Sequence, residues 1–227
     1  MNIAVITEKL ERLISWRQSD NANGMSPKEE PPLRSELFNI EQLERHAKSL
    51  AASHQLTFRP TADKLIPRLN ENEEILVATY ELVTEAAKRM RRNAPAAEWL
   101  LDNFYLIEEQ IRMARRHLPR SYNRELPRLR HGAAATSPRV YSIVLDLISH
   151  VDGHVDSLSL NSFVAAYQTI TPLKLGELWA VPIMLRLALI ENLRRVALRI
   201  ASNRRDRDTA ADWAERMSRS SNRTQPT

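Results

Sequence analysis

TPLKLGELWAVPIMLRLALIENLRRVALRI, Thr171 to Ile200, is the stretch that decides the fold. Thr171-Pro172 predicts a helix start, because a proline in the first helical turn forfeits no intrahelical hydrogen bond. Glu177 lies toward the positive end of the helix dipole and Arg194, Arg195 and Arg199 toward the negative end, an order that favours a helix. Pro182 predicts a kink, since it removes one backbone donor and crowds the preceding turn. Between Leu178 and Ile190 the run is apolar apart from Arg186, and it falls short of the ~20 residues that a membrane span needs. A helix lying on a membrane would carry its basic residues along one face; here they gather at the end. The stretch reads as a buried core helix.

Working outward, composition favours an all-α chain. Hydrophobic residues make up 43% of the 227 positions and glycine only four of them, which suits long helices better than a turn-rich β protein. A chain of this length buries one core, or one core plus tails. There are no cysteines, so disulfides and thiolate metal sites are excluded. The opening MNIAVITEKLERLISWRQSD has acids inside its apolar region and no small-residue cleavage site, unlike a secretory signal. The net charge of +5 has a location: from Arg194 onward there are nine arginines against Asp206, Asp208, Asp212 and Glu215, so the rest of the chain is balanced.

Punctuation divides the chain into helical stretches. Ile3, Ile6, Leu10, Leu13 and Ile14 have helical spacing within residues 1–19, and Gly24, Pro27, Pro31 and Pro32 mark a flexible break. Helices are expected over 40–54, 63–92 and 95–117, then an irregular segment framed by Pro119, Pro127 and Gly132. Ser137-Pro138 predicts a new helix with serine as N-cap, stopping near Gly153 as a left-handed C-terminal cap. A shorter helix over 159–170 precedes the long one. Thr209 to Met217 can extend as helix, and Ser218 to Thr227 is expected to be disordered. The expected architecture is an irregular multi-helix bundle: 1–33 an amphipathic helix and flexible linker, 34–202 the helical domain, 203–227 a polar arginine-rich tail.

Four constellations bear residue types that can do chemistry. His150-x-Asp152-x-His154-x-Asp156 offers two histidines four apart, a spacing that can ligate a transition metal. Gly153 between them works against a shared helical face, so His150, Asp152 and His154 are weak metal candidates and no metal is expected. Glu108 and Glu109, with Asp102, are paired carboxylates, but adjacent helical positions point about 100° apart, and Arg112 and Arg116 suit ordinary intrahelical ion pairs. The segment Arg120 to Arg130, beside Arg116, can hold anions, with Arg116, Arg120 and Arg124 as contacts; an ordered loop packed by Leu126 and Leu129 is the favoured reading. Finally, Glu177, Trp179, Arg186 and Glu191 suggest a structural polar network, because a buried Arg186 needs a partner, from Glu177, Glu191 or a carboxylate on the Trp99 helix. No catalytic residue and no cofactor is expected.

Four segments together carry a family resemblance: RSELFNIEQLERHAKSLAASH (Arg34 to His54), PAAEWLLDNFYLIEEQIRMARRHLPRSYNRELPRL (Pro95 to Leu129), SPRVYSIVLDLISHVDGHVD (Ser137 to Asp156) with LNSFVAAYQTITPL after it, and the Thr171 stretch. Covering residues 34–216 in order, they resemble the cyclic β-1,2-glucan synthases, large membrane enzymes of bacterial envelopes. The resemblance implies the N-terminal, non-catalytic part of such a synthase. It places the family's UDP-glucose-dependent activity in a membrane-embedded glucosyltransferase domain further along, with a phosphorylase-like domain beyond. The chain carries neither a Gln-x-x-Arg-Trp motif nor a strand-borne Asp-x-Asp motif. The expectation is therefore a scaffolding or regulatory module, or a truncated fragment, at the cytoplasmic face of the inner membrane. Its expected partner is the membrane-embedded glucosyltransferase part, in cis or in trans, with no nucleic acid and no transmembrane span of its own. The alternative is a stand-alone basic module that binds anionic lipid or nucleic acid through its arginines, with steep salt dependence as its mark.

Overall fold

Helix after helix follows from the chain's punctuation in the computed structural model, which describes residues 5–12, 32–57, 64–88, 94–118, 125–131 and 136–222. The helices are α1 (residues 5–12), α2 (Ile40–Ser53), α3 (Leu65–Lys88), α4 (Pro95–His117), α5 (Arg139–His150), α6 (Ser157–Gln168) and α7 (Leu175–Asn222). Two two-residue strands, β1 (Leu56–Thr57) and β2 (Arg128–Leu129), pair antiparallel with Leu56 opposite Leu129. The protein is all-α, as its composition predicts. Residues 21–31 of the break, residues 120–124 of the arginine-rich segment and the last five residues lie outside the described residues.

Several helix ends differ from expectation, each for a local reason. Ser137 is not the cap of α5; Pro138 occupies that position, no side chain caps the helix, and the Arg139 N–H donates to the Pro127 carbonyl at 2.9 Å. At the other end of α5 the left-handed turn begins at Asp152 (φ 51°), one residue before Gly153 (φ 77°). The Gly153 N–H donates to the Ile148 carbonyl at 3.1 Å, the long bond of a Schellman closure. Helix α6 starts at Ser157 because Asp156 caps it, accepting from the Ser159 N–H at 2.7 Å. Chiefly through that bond, the Asp156 carboxyl is held below its usual range.

The long helix begins at Leu175, so Pro172 precedes it instead of occupying its first turn. Glu177 supplies the start signal: its carboxylate reaches back and accepts the Lys174 N–H at 3.0 Å, one half of a capping box. Pro182 lies inside the helix, and the helix continues through Ser202 as far as Asn222, beyond the end that the polar composition suggested. Only residues 223–227 of the expected tail fall outside the described residues.

The chain forms two compact units. The first consists of Met1–Glu29, Ile75–Asp102 and Val196–Thr227, the second of Glu30–Glu74 and Asn103–Arg195. In the first unit Ile6 and Leu10 of α1 are buried with Ala78 and Leu82 of α3 and Ala201 of α7. Here the small side chains admit the large ones, the complementary packing of close-packed interiors. A pocket of about 150 Å³ lies there, lined by Leu10, Leu82, Arg204 and Asp208 among others. That is well below the roughly 300–1,000 Å³ of small-molecule sites.

In the second unit α2 presents Leu43, Ala47 and Ala51, at helical spacing, to Phe163, Ala166 and Tyr167 of α6 and to Ile143 and Leu147 of α5. Asn39 fixes the start of α2 through a complete capping box with Gln42, both bonds 2.9 Å. The short β1–β2 pair sits beside the start of α5, since the Leu129 N–H donates to the Ser137 carbonyl at 3.1 Å. These contacts bring the polar side chains of α2, α5 and α6 together.

Candidate functional site

Three polar clusters stand out within the second unit. Two are carboxylates closed by arginine. Glu177 of α7 accepts both forks of Arg139 from α5, at 2.6 and 2.7 Å, with both side chains at most 2% exposed. The same guanidinium donates to the Pro172 carbonyl at 2.8 Å and lies 6.0 Å from the centroid of the Tyr167 ring. Burial opposes the charge on Arg139, yet the hydrogen bond and charge of Glu177 outweigh it and raise the guanidinium above its ordinary value.

Glu191 is the second. It accepts Arg68 of α3 in a two-pronged bond of 2.6 and 2.8 Å, and also accepts Arg194 at 2.8 Å and Arg195 at 3.2 Å. Burial would push its carboxyl up; the bonds from Arg68 and the charge of Arg194 win and hold it far below the carboxylate range. Tyr141, buried close by, has its hydroxyl pushed above the ordinary phenol value, mainly by burial and then by the Glu191 charge.

The third cluster is built from imidazoles. His46 on α2 and Asp146 and His150 on α5 place their ligating atoms within 4.8 Å of one another. His46 Nε2 donates to Asp146 Oδ2 at 2.6 Å, and these side chains are 30% and 27% exposed. His150 Nδ1 donates to the Glu36 carbonyl at 2.7 Å. Phe38 stacks on the His150 ring, centroids 4.0 Å apart and planes 7° from parallel, and meets His46 edge-on at 5.4 Å. At the end of α2, His54 Nδ1 and the Tyr167 hydroxyl share a 2.8 Å hydrogen bond; burial, its largest influence, lowers the His54 pKa, and burial raises that of Tyr167.

The residues singled out in the sequence separate. Of His150, Asp152 and His154, only His150 joins the imidazole cluster. Asp152 is exposed and pairs with Arg34 at 3.2 Å, while His154 is exposed beyond the helix end. Asp156 serves as a cap. Of Glu177, Trp179, Arg186 and Glu191, the two glutamates head separate ion-pair clusters. Arg186 donates to the Gln110 side chain at 2.8 Å, so its partner is an amide on the Trp99 helix and not a carboxylate. Trp179 is 71% exposed. Arg116 is exposed near the end of α4, and Arg120 and Arg124 lie outside the described residues.

Arg139, Arg68, His46 and Asp146 complete these clusters, and no motif in the sequence points to them as a set. Asp146 and His150 had a readable signal, because positions four apart on one helix share a face. Arg68 and His46 had none, being 123 and 100 residues from their partners. Among the described residues no helix is long and apolar enough to cross a membrane.

No family model matches the chain. Over 190 residues, 82% of its length, it is 35% identical to Cyclic beta-(1,2)-glucan synthase NdvB of Rhizobium meliloti (strain 1021), and the match spans 7% of that protein. By that match the chain belongs to the cyclic β-1,2-glucan synthase family, through a segment that makes up a small part of the relative's length.

Proposed function

We propose that the chain is a non-catalytic scaffolding or regulatory module of the cyclic β-1,2-glucan synthase type, corresponding to the N-terminal part of such an enzyme. It packs against and positions the membrane-embedded part that transfers glucose from UDP-glucose, at the cytoplasmic face of the inner membrane. One observation carries this reading: the two buried carboxylates among the described residues, Glu177 and Glu191, are both saturated by arginines. A carboxylate whose oxygens are engaged by guanidinium N–H groups has few lone pairs left for acid–base work. Such clusters join helices and offer no free acid–base pair of their own.

The test is turnover. Purified chain incubated with UDP-glucose is expected to release no glucose or UDP and to form no glucan. Turnover that disappears in Glu109→Gln or Asp152→Asn would overturn the reading.

A second reading rests on the outer part of α7. Residues 205–219 are exposed apart from the half-buried Asp208, and they carry Arg205, Arg207, Arg216 and Arg219 with Trp213 under the Arg216 guanidinium at 5.9 Å. Asp206, Asp208, Asp212 and Glu215 balance those four arginines, so the arginines and Trp213 would meet an anionic lipid surface as individual contacts and not through a net basic field. Binding to anionic vesicles that falls steeply as salt rises would favour this reading.

A further inference from the structure

We propose that His46, Asp146 and His150 form a binding site for a transition-metal dication of the zinc class, which ties α2 to α5. The donor set points to the metal. Two imidazoles and one carboxylate suit zinc and its neighbours, whereas calcium and magnesium take oxygen ligands. Asp146 and His150 stand four residues apart on α5 and so share one face, and His46 comes to them from α2, 100 residues away.

The orientation of His150 is already that of a ligand. A carbonyl oxygen can only accept, so the bond to Glu36 fixes the proton on Nδ1 and leaves the Nε2 lone pair for a metal. That carbonyl is the outer-shell partner that metal-bound histidines almost always have. Phe38, stacked on His150 and edge-on to His46, restrains both rings and shields one side of the cluster from water.

The distances require only small adjustments. Ligand atoms about 2.0–2.1 Å from a tetrahedral zinc lie roughly 3.4 Å from each other. The three donors now lie within 4.8 Å of one another, with His46 Nε2 and Asp146 Oδ2 2.6 Å apart. That pair therefore opens by under about 1 Å and no pair closes by more than about 1.4 Å, movements within the reach of side-chain rotation. The proton on His46 Nε2 leaves as the metal arrives. Three protein ligands leave a fourth position for water, on the side where His46 and Asp146 are partly exposed.

The test uses the untagged full chain, stripped with a chelator and titrated with Co²⁺ while its visible absorption is followed. One Co²⁺ per chain with an intense four-coordinate spectrum is expected, displaced by Zn²⁺. His46→Gln and Asp146→Asn should each weaken Co²⁺ binding at least tenfold with the helical circular dichroism unchanged, and His154→Gln should leave it intact. No spectrum at stoichiometric Co²⁺ would overturn the proposal, as would a spectrum that survives Asp146→Asn or is lost in His154→Gln. Should His46→Gln fail to fold, Asp146→Asn, which keeps the side chain's shape, carries the test alone.

Discussion

Two clusters of the second unit use a carboxylate in opposite ways. At Glu191 three arginines converge on one buried acid, every contact is 2.6–3.2 Å, and the group is held ionised. At Asp146 the neighbours are imidazoles, the acid is partly exposed, and among the described residues its bond to His46 ties it to another helix. A guanidinium has donors and no lone pair, so an arginine-closed acid is structural. Imidazoles carry lone pairs, so an acid beside them keeps its capacity for a ligand. The difference in partner, more than in the acid, separates a joint from a site.

The contrast breaks most sharply at Glu191. Glu191→Ala removes the acid that Arg68, Arg194 and Arg195 share, and the expected loss in urea unfolding is about 3–5 kcal/mol. A loss under about 1 kcal/mol would show that the cluster is not a joint.

pH sharpens the same point. The folded-state pKa of Glu191 is depressed, so its contribution is fully present above the unfolded-state value, about 4.3. The contribution is lost only as pH falls through the lower folded-state value. The stability gap between the protein and Glu191→Gln should stay constant from neutrality to about pH 5 and narrow below about pH 4. A gap that closes near neutral pH would contradict the assignment.

A smaller effect belongs to the start of α2, which carries His46 into place. Asn39→Ala removes the acceptor for the Gln42 N–H and should cost about 1 kcal/mol, read in thermal unfolding. Smallest of all is Trp179→Ala. With its side chain 71% exposed, stability should change by less than about 0.5 kcal/mol. A larger change would return Trp179 to the polar network that its place in the sequence suggested.

Helix positions were legible because prolines and the Gly153 turn act locally, within one helical turn. The start of α4 and the left-handed turn after α5 follow from neighbours in sequence, while the expected end of the helix before them, near residue 92, lies outside the described residues. The start of α5 departs from the expected serine cap because its first N–H is satisfied by Pro127, through tertiary contact and not by the serine beside it. Likewise α7 runs past Ser202 although its composition there is that of a solvated tail, because high arginine content and i,i+4 pairs such as Arg204–Asp208 and Arg219–Glu215 support an exposed helix. The sites were less legible than the helices. Glu177, Glu191 and His150 stood out as polar residues on apolar faces, but Arg139, Arg68 and His46, which complete them, join across 38, 123 and 100 residues. No periodicity encodes such pairings; packing alone creates them.

If this chain acts by positioning the catalytic part of a synthase, the effect is measurable on a synthase itself. The decisive experiment takes a cyclic β-1,2-glucan synthase from which the aligned segment has been deleted, and follows glucan synthesis in membranes with and without this chain added. A positioning role predicts that the deleted enzyme is impaired, that the chain binds it, and that synthesis is restored in trans. Full synthesis by the deleted enzyme, with no binding of the chain, would contradict that role.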